Sequence, residues 1–126
     1  MVRPGRTGRR QQAVYWAPLT GAGSKTSTGR LKVSSSKVQL DVRWEAVQQD
    51  ALDGQGDVIR LDVQVKVYQD VAIGGIMWLG KLTALPASPT DLYEVVTFDK
   101  VPGTKGADYE RWAGLQRYSN ELPPTG

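Results

Sequence analysis

Two segments of the chain alternate strictly between apolar and polar residues. In residues 37–45 the apolar positions are Val38, Leu40, Val42 and Trp44. In residues 58–68 they are Ile59, Leu61, Val63, Val65 and Val67. A period of two places such a set on one face of a β-strand, whereas a helix would scatter it around its circumference. We therefore predict two strands that form a long antiparallel hairpin and pack these apolar faces together.

The residues that join the two strands predict a polar hairpin tip. Gln48 to Asp57 reads QQDALDGQGD, and its DGQG end is typical of a turn. Because about two to five residues suffice for such a connection, we expect the tip to project beyond the sheet. Its candidate contact residues are Gln48, Gln49, Asp50, Leu52, Asp53, Gly54, Gln55, Gly56 and Asp57.

The tip is acidic. It contains three Asp and no Lys or Arg. Asp50, Asp53 and Asp57 are also oxygen ligands of the type that calcium prefers. The EF-hand spacing is absent, and Asp in Gly-rich turns commonly bonds the local backbone. We therefore expect no metal site here.

The rest of the chain predicts further short strands. Residues 11–17 and 92–99 are rich in β-formers, and residues 76–82 are typical of a strand buried on both faces. Residues 107–118 fit a helix or a strand, and we favour a strand. Residues 19–29 form a loop too polar to pack. Strands at this spacing predict an all-β fold, a small single-domain β-barrel or sandwich.

The domain is expected to span residues 11–118. Residues 1–10 form a flexible basic arm, and residues 119–126 form a tail that leaves the domain. Four tryptophans lie in four different predicted strands, which suggests that they fill one core, although one or two could anchor an interface. The predicted core tryptophans are Trp16, Trp44 and Trp78, with Trp112 as the fourth.

Composition makes catalysis a poor expectation. The chain of 126 residues has no Cys and no His, which removes disulfides, thiolate chemistry and the usual general base at neutral pH. Most zinc, copper and non-haem iron sites depend on the same two side chains. The longest apolar stretch, Val71 to Leu79, is far shorter than a bilayer span of roughly 20 residues. We expect a protein that binds partners, with no enzymatic activity, cofactor or membrane contact.

Charge is distributed unevenly along the chain. Residues 1–40 contain eight basic residues and no acid, whereas residues 41–126 hold all 13 acids. Arg3, Arg6, Arg9 and Arg10 give the arm its charge. The arm is either a solubilising tail or a contact for an anionic partner. One alternative function is therefore a nucleic-acid-binding module with an OB-like or SH3-like β-barrel, in which basic and aromatic side chains hold a strand.

The order of motifs resembles the small neck proteins of tailed bacteriophages, the head-closure (stopper) and head–tail connector proteins. The resemblance covers residues 9–123 and is carried by RRQQAVYWAPLTG, VQLDVRWE, GGIMWLGKL and QRYSNELP, with a DxxG-type turn between the second and third. Its anchors are Gln12–Trp16, Val42–Glu45 and Met77–Gly80. These are core and turn patterns, and they leave stopper and adaptor as alternatives.

The resemblance implies a structural virion protein, synthesised in the host cytoplasm and located at the head–tail junction. Copies would form a homo-oligomeric ring, a hexamer or a dodecamer, between a portal or adaptor ring above and a tail terminator or tail protein below. The ring would continue the DNA channel, contact transiting double-stranded DNA without sequence specificity, help retain the packaged genome and dock the tail. A basic channel lining would grip DNA, so we expect the arm to face the portal or a neighbouring subunit instead. Within such a ring the acidic tip, Gln48 to Asp57, would point into the lumen or against an adjoining ring, where it would repel DNA phosphates at short range.

Overall fold

The described part of the chain contains six β-strands. The computed structural model of the protein describes residues 11–21, 23–27, 29, 31–52, 56–102, 109–119 and 123–126. The strands are β1 (Gln11–Trp16), β2 (Val38–Leu52), β3 (Val58–Val67), β4 (Ile76–Leu79), β5 (Leu92–Pro102) and β6 (Tyr109–Ser119), and a 3-10 turn spans Leu82–Ala84. They close into an antiparallel barrel in the order β1–β2–β3–β6–β5–β4. The predicted all-β fold is confirmed, and the closed strand order identifies it as a barrel.

The strands β2 and β3 form the hairpin that their alternation predicts. Val42 lies opposite Val67 and Trp44 opposite Val65. The inner residues from Leu61 to Val67 are buried, whereas Val38 is 46% exposed. Val38 was expected to pack against β3. It remains exposed because β3 ends at Val67, opposite Val42, and does not reach the first residues of β2.

Buried side chains form two clusters, one inside the barrel and one on its outer surface. The strand β1 contributes to both, because Ala13 and Tyr15 belong to the inner cluster while Val14 and Trp16 belong to the outer one. The strand β4 is shared in the same way, with Met77 inside and Ile76 outside. The prediction that β4 is buried on both faces is confirmed for these two residues.

The tryptophans do not fill one core, as the sequence suggested. Trp16 is buried at 2% exposure in the outer cluster. Trp44 is partly buried against the inner cluster, and Trp78 is partly buried against the outer one. Trp112 belongs to neither cluster. The single-core expectation fails because alternate residues of a strand point to opposite faces, and both faces of this sheet are covered in part.

The outer cluster is covered by segments that were expected to be loose. The Val33 N–H donates to the Pro124 carbonyl at 2.9 Å, and the Gly126 N–H donates to the Val33 carbonyl at 3.1 Å. The Leu19 N–H donates to the Lys32 carbonyl at 3.0 Å, so the start of the polar loop is also held. The tail prediction is therefore wrong for residues 123–126, whose backbone hydrogen bonds return it to the domain. Residues 120–122 lie outside the described residues.

The barrel has two distinct ends. At the hairpin end, β2 and β3 continue beyond Ala46 and Val63 to the pair Leu52–Val58. At the other end, which we call the loop end, residues 68–75 connect β3 to β4. There β5 and β6 continue to the pair Pro102–Tyr109. Because neighbouring strands are antiparallel, the two hairpins extend beyond the barrel at opposite ends.

Candidate interaction surfaces at the two ends of the barrel

The predicted hairpin tip consists largely of paired strand. Asp50 lies opposite Arg60, and Leu52 lies opposite Val58. Strand pairing therefore occupies Gln49 to Leu52, which the sequence assigned to an unpaired tip. The alternation of apolar residues in β2 stops after Trp44 because a bulge interrupts the register between Ala46 and Gln49. Such a bulge adds one unpaired residue and hides the period of two that the sequence analysis relied on.

The remaining tip residues are only partly described. Gly56 and Asp57 are exposed, and Gly56 has a φ of 87°, a left-handed conformation that favours glycine. Asp53, Gly54 and Gln55 lie outside the described residues. The described residues contain no group of three carboxylate, His or Cys side chains that could hold a metal ion.

Pairing changes the electrostatic character of the hairpin. Arg60 lies across from Asp50 and donates a hydrogen bond from its Nη2 to Gln48 Oε1 at 3.0 Å. The hairpin therefore carries a cation next to the acids of its tip. The sequence analysis counted charges only within the tip, Gln48 to Asp57, and so did not include this cation, because Arg60 belongs to the opposite strand.

The base of the hairpin is held to the barrel by β6. The Arg117 N–H donates to Asp62 Oδ2 at 2.7 Å, and Gln116 Nε2 donates to the Arg60 carbonyl at 3.0 Å. Beside these contacts lies a cleft of about 520 Å³, lined by Ala46, Val47, Gln48, Asp62, Tyr93 and Arg117. The hairpin is therefore fixed at its base to the barrel wall.

Aromatic side chains close the barrel at the hairpin end. Trp44 and Tyr93 meet edge to face, with ring centroids 5.3 Å apart. The Arg117 guanidinium lies 5.9 Å from the Tyr93 ring centroid and pairs with Asp91 at 2.7 Å. Asp91 has a φ of 57°, in the left-handed region that Asp tolerates better than most residues. This group connects β5, β6 and β2 at one end of the barrel.

The loop end is closed by residues 68–75. Val71 is buried within the inner cluster, and the Ala72 N–H donates to the Tyr15 hydroxyl at 2.8 Å. Burial raises the pKa of Tyr15, and the hydrogen bond from Ala72 offsets part of that rise. The sequence analysis did not assign this segment a role, although Val71 stands as an apolar residue after a polar stretch.

Asp70 fastens the same loop to β5 and β6. Its Oδ1 lies 2.7 Å from Arg111 Nε and 3.4 Å from Lys100 Nζ. The hydrogen bond from Arg111 lowers the pKa of Asp70, and the charge of Lys100 lowers it further. Lys66 pairs with Glu110 at 3.6 Å on the neighbouring strands. Three of the cations near this end therefore have an acidic partner.

Exposed apolar side chains are concentrated at the loop end. Five of the eight large apolar side chains exposed among the described residues lie on its strand ends or its connecting loop. These are Val38, Tyr68, Ile73, Val101 and Tyr109. At the hairpin end the described exposed side chains include polar or acidic ones at Gln48, Gln49, Asp50 and Asp57 and an apolar one at Val58. The two ends thus offer different chemistry to a partner.

Glu94 is a half-buried carboxylate on the barrel wall. It lies on β5 between Ile76 of β4 and Gln116 of β6. Desolvation by burial raises its pKa above the ordinary value of 4.5. No described cation is paired with it in a salt bridge. Its position gives the barrel a pH-sensitive group.

Arg3, Arg6, Arg9 and Arg10 lie outside the described residues. Within the described part of the chain, no helix has the length and apolar character needed to span a membrane.

The fold and its two ends define a small closed β-barrel protein with opposed hairpins. Comparison of the chain with protein-family models, curated proteins and solved structures gives no match.

Proposed function

We propose that the protein is a structural subunit of the neck of a tailed bacteriophage, a head-closure or head–tail connector protein. Copies form a ring between the portal and the tail, continue the DNA channel, help retain the packaged genome and dock the tail. The observation that carries the proposal is the placement of the two long hairpins at opposite ends of one closed barrel. A ring subunit must contact one ring above and another below, and this arrangement provides a separate surface for each.

The two ends of the barrel differ in chemistry, which supports a different contact for each. The exposed apolar residues of the loop end suit a contact with another protein ring, since collected apolar surface is a feature of protein interfaces. The hairpin end suits a position beside DNA. Asp50 and Asp57 repel phosphates at short range, although Arg60 weakens that repulsion and salt screens it beyond about 8–10 Å. Contacts with passing double-stranded DNA are accordingly weak and independent of sequence.

The protein acts by binding, without catalysis and without a cofactor. Support comes from the chain as a whole, which has neither His nor Cys. The clefts given by the described residues are lined by mixed polar and apolar side chains.

The alternative, a nucleic-acid-binding barrel, is less favoured by the charges on the sheet. Lys66 and Lys100 lie beside the rings of Trp112 and Tyr109, as a strand-binding surface would require, and Arg111 is a third cation at the same end. Each of them is paired with Glu110 or Asp70. A binding surface for phosphates needs cations that are available to the ligand, and these three already have acidic partners.

Deletion of the gene from the phage or prophage that carries it tests the proposal. The expected result is full-sized heads that lose their DNA and free tails that remain unattached, with recovery when the gene is supplied in trans. Normal yields of infectious particles without the gene would contradict it, as would a gene that lies outside any phage or prophage. Binding of short DNA by the purified protein, with a steep dependence on salt concentration, would favour the alternative.

A further inference from the structure

The edge of β2 that faces β1 is paired over only part of its length. The strand β1 covers β2 from Val38 to Val42. No described residue pairs with this edge from Arg43 to Leu52, although the opposite edge of the same segment pairs with β3. An unpaired edge presents a row of backbone N–H and C=O groups that can pair with an added strand.

Only some of the features that usually protect such an edge are present, namely three charged residues, Arg43, Glu45 and Asp50, and one bulge. The segment from Arg43 to Leu52 contains no Lys and no Pro. Its only irregularity in the register is the bulge between Ala46 and Gln49. Proteins that leave an edge in solvent commonly use charged residues, Pro or very short strands to prevent pairing. This edge is ten residues long and is suited to receive a strand.

Arg43, the first residue of this edge, supplies an independent observation. Its Nε is buried and has no hydrogen-bond partner among the described residues. A buried donor without an acceptor is rare in folded proteins and unfavourable. Arg43 thus lies where the pairing of β2 with β1 ends, and it carries a buried donor whose hydrogen bond the described residues do not supply.

We propose that the edge from Arg43 to Leu52 receives the N-terminal arm, residues 1–10, of a second copy of the chain as an added antiparallel strand. The inference rests on the proposed function, because it describes how the ring subunits are joined. The arm has ten residues, as many as the edge. The arm would be the outermost strand and can therefore contain Pro4. Pro has no backbone N–H and is tolerated on an edge strand where that group would face solvent.

Charge favours the same occupant. The arm carries four Arg and no acid. The hairpin that contains the edge, β2 and β3, carries five acids against three bases among its described residues: Asp41, Glu45, Asp50, Asp57 and Asp62 against Arg43, Arg60 and Lys66. A basic strand laid along this hairpin lowers the charge repulsion within it, so the pairing is complementary.

The register of β1 favours pairing of the β2 edge with the arm of a second copy over pairing with the arm of the same copy. Gln11 lies opposite Val42, so a direct continuation of β1 would set Arg10 opposite Arg43. Like charges directly opposite each other destabilise strand pairs. An arm from a second copy is not bound to that register. Arm and edge are also different surfaces, so the contact is heterologous, the type that closes into rings.

The experiment measures the assembly state of the full-length protein by native mass spectrometry and by light scattering. The first variant lacks residues 1–10 and keeps the edge. The second variant, Glu45→Lys with Gln49→Lys, keeps the arm and places two cations on the edge, away from every described hydrogen bond. Its matched control, Asp99→Lys with Gln69→Lys, changes the charge equally at the loop end, on two exposed residues.

The wild type and the control are expected to form the ring oligomer, and each variant alone is expected to be monomeric. An equimolar mixture of the two variants is expected to give a one-to-one dimer, because one partner offers an arm and the other an edge. Circular dichroism melts establish that both variants are folded. If either variant fails to fold, a peptide of residues 1–10 added to the arm-deleted or wild-type protein is expected to bind in its place.

Three results would overturn the inference. These are an arm-deleted protein that keeps the wild-type oligomer, a mixture that stays monomeric while both variants are folded, and a wild type that is monomeric at every concentration. None of these results decides whether the protein acts in the phage neck. Deletion of the gene from the phage, followed by examination of the particles, tests that role separately. The two proposals can therefore fail independently.

Discussion

Trp44 and Tyr93 meet edge to face, with their ring planes at 79° and their centroids 5.3 Å apart. Trp44 belongs to β2 and Tyr93 to β5, and these strands occupy opposite positions in the closed order β1–β2–β3–β6–β5–β4. The contact therefore crosses the barrel and ties its two walls together at the hairpin end. Such pairs contribute about 0.5–1.5 kcal/mol beyond the burial of their area.

We predict that Trp44→Ala lowers the free energy of unfolding by about 2–4 kcal/mol, somewhat below the range for fully buried aromatic residues. Trp112→Ala is the matched control, because Trp112 lies outside both buried clusters. It should cost about 1 kcal/mol or less, as for most substitutions away from a core. Urea denaturation followed by circular dichroism measures both. Equal losses for the two variants would contradict the role of Trp44 in closing the barrel.

The glycine at position 114 allows three strands to approach one another. A Cβ placed on Gly114 would overlap Thr97 Oγ1 of β5 and would lie 2.8 Å from both δ carbons of Leu61 in β3. Gly114→Ala is expected to reduce stability by about 1–3 kcal/mol, the usual cost of overfilling a packed site. Thermal denaturation measures the loss. Thr97→Ala in the same chain should recover part of it, and an unaffected melt for Gly114→Ala alone would show that the strands can separate at no cost.

The sequence predicted the parts of this fold that repeat with a period of two. The alternation in β2 and β3 correctly identified the hairpin and its buried face from Leu61 to Val67. It could not identify the strand beyond Trp44, because the bulge between Ala46 and Gln49 shifts the register and removes the pattern. It also placed Val38 inside, since alternation does not reveal where the partner strand ends.

The candidate surfaces were harder to predict, because they depend on residues far apart in the chain. Asp70 finds Arg111 and Lys100 only after the barrel has closed. Arg60 reaches Gln48 only through strand pairing. No local pattern encodes such contacts. The return of residues 123–126 to Val33 was missed for a related reason, since it depends on backbone hydrogen bonds and not on side-chain type.

The Tyr15 hydroxyl accepts a hydrogen bond from the Ala72 N–H at 2.8 Å. Tyr15→Phe removes this acceptor and is expected to lower the free energy of unfolding by about 1 kcal/mol, the typical net value of one hydrogen bond. Faster amide exchange at Ala72 in the variant would locate the loss at the loop that closes the barrel. Unchanged stability and exchange would show that the hydroxyl does not hold this loop.

The raised pKa of Tyr15 also predicts alkaline sensitivity. Because the folded state holds the proton more tightly than the unfolded state, whose pKa is near the ordinary value of 10.0, stability should fall as pH rises above 10. The Tyr15→Phe variant should lack this part of the pH dependence. Equilibrium unfolding at several pH values above 9 compares the two proteins, and parallel curves would contradict the prediction.

The raised pKa of Glu94 predicts that the stability of the fold depends on pH in the acidic range. Burial raises its pKa in the folded state, so the folded protein binds this proton more tightly than the unfolded chain does. The resulting contribution to stability is fully present below the unfolded pKa, near 4.5, and is lost as pH rises through the folded pKa. Glu94→Gln stays uncharged and should therefore be more stable than the wild type at pH 7. Melting temperatures measured from pH 4 to pH 7 test this, and a variant less stable than wild type at pH 7 would show that the carboxylate makes a favourable contact.

The last prediction concerns the part of the hairpin that extends past the barrel. Replacement of residues 51–59 by Asn-Gly leaves Asp50 opposite Arg60 and joins them through a two-residue turn of the type favoured in hairpins. The buried Leu61 and the contact of Asp62 with Arg117 are retained. The shortened protein should fold and melt within a few degrees of the wild type, because the described strand pairs that are lost, Ala51–Ile59 and Leu52–Val58, lie within the removed segment. If the hairpin borders the DNA channel or transmits tail docking, phage that carry the shortened protein should assemble necks but lose packaged DNA or fail to attach tails.

The DNA content of purified particles and their infectivity measure the effect of the shortened hairpin, with Asp57→Asn as a control for charge alone. A folded, shortened protein that supports normal DNA retention and normal infectious yield would exclude a gating or docking role for this hairpin.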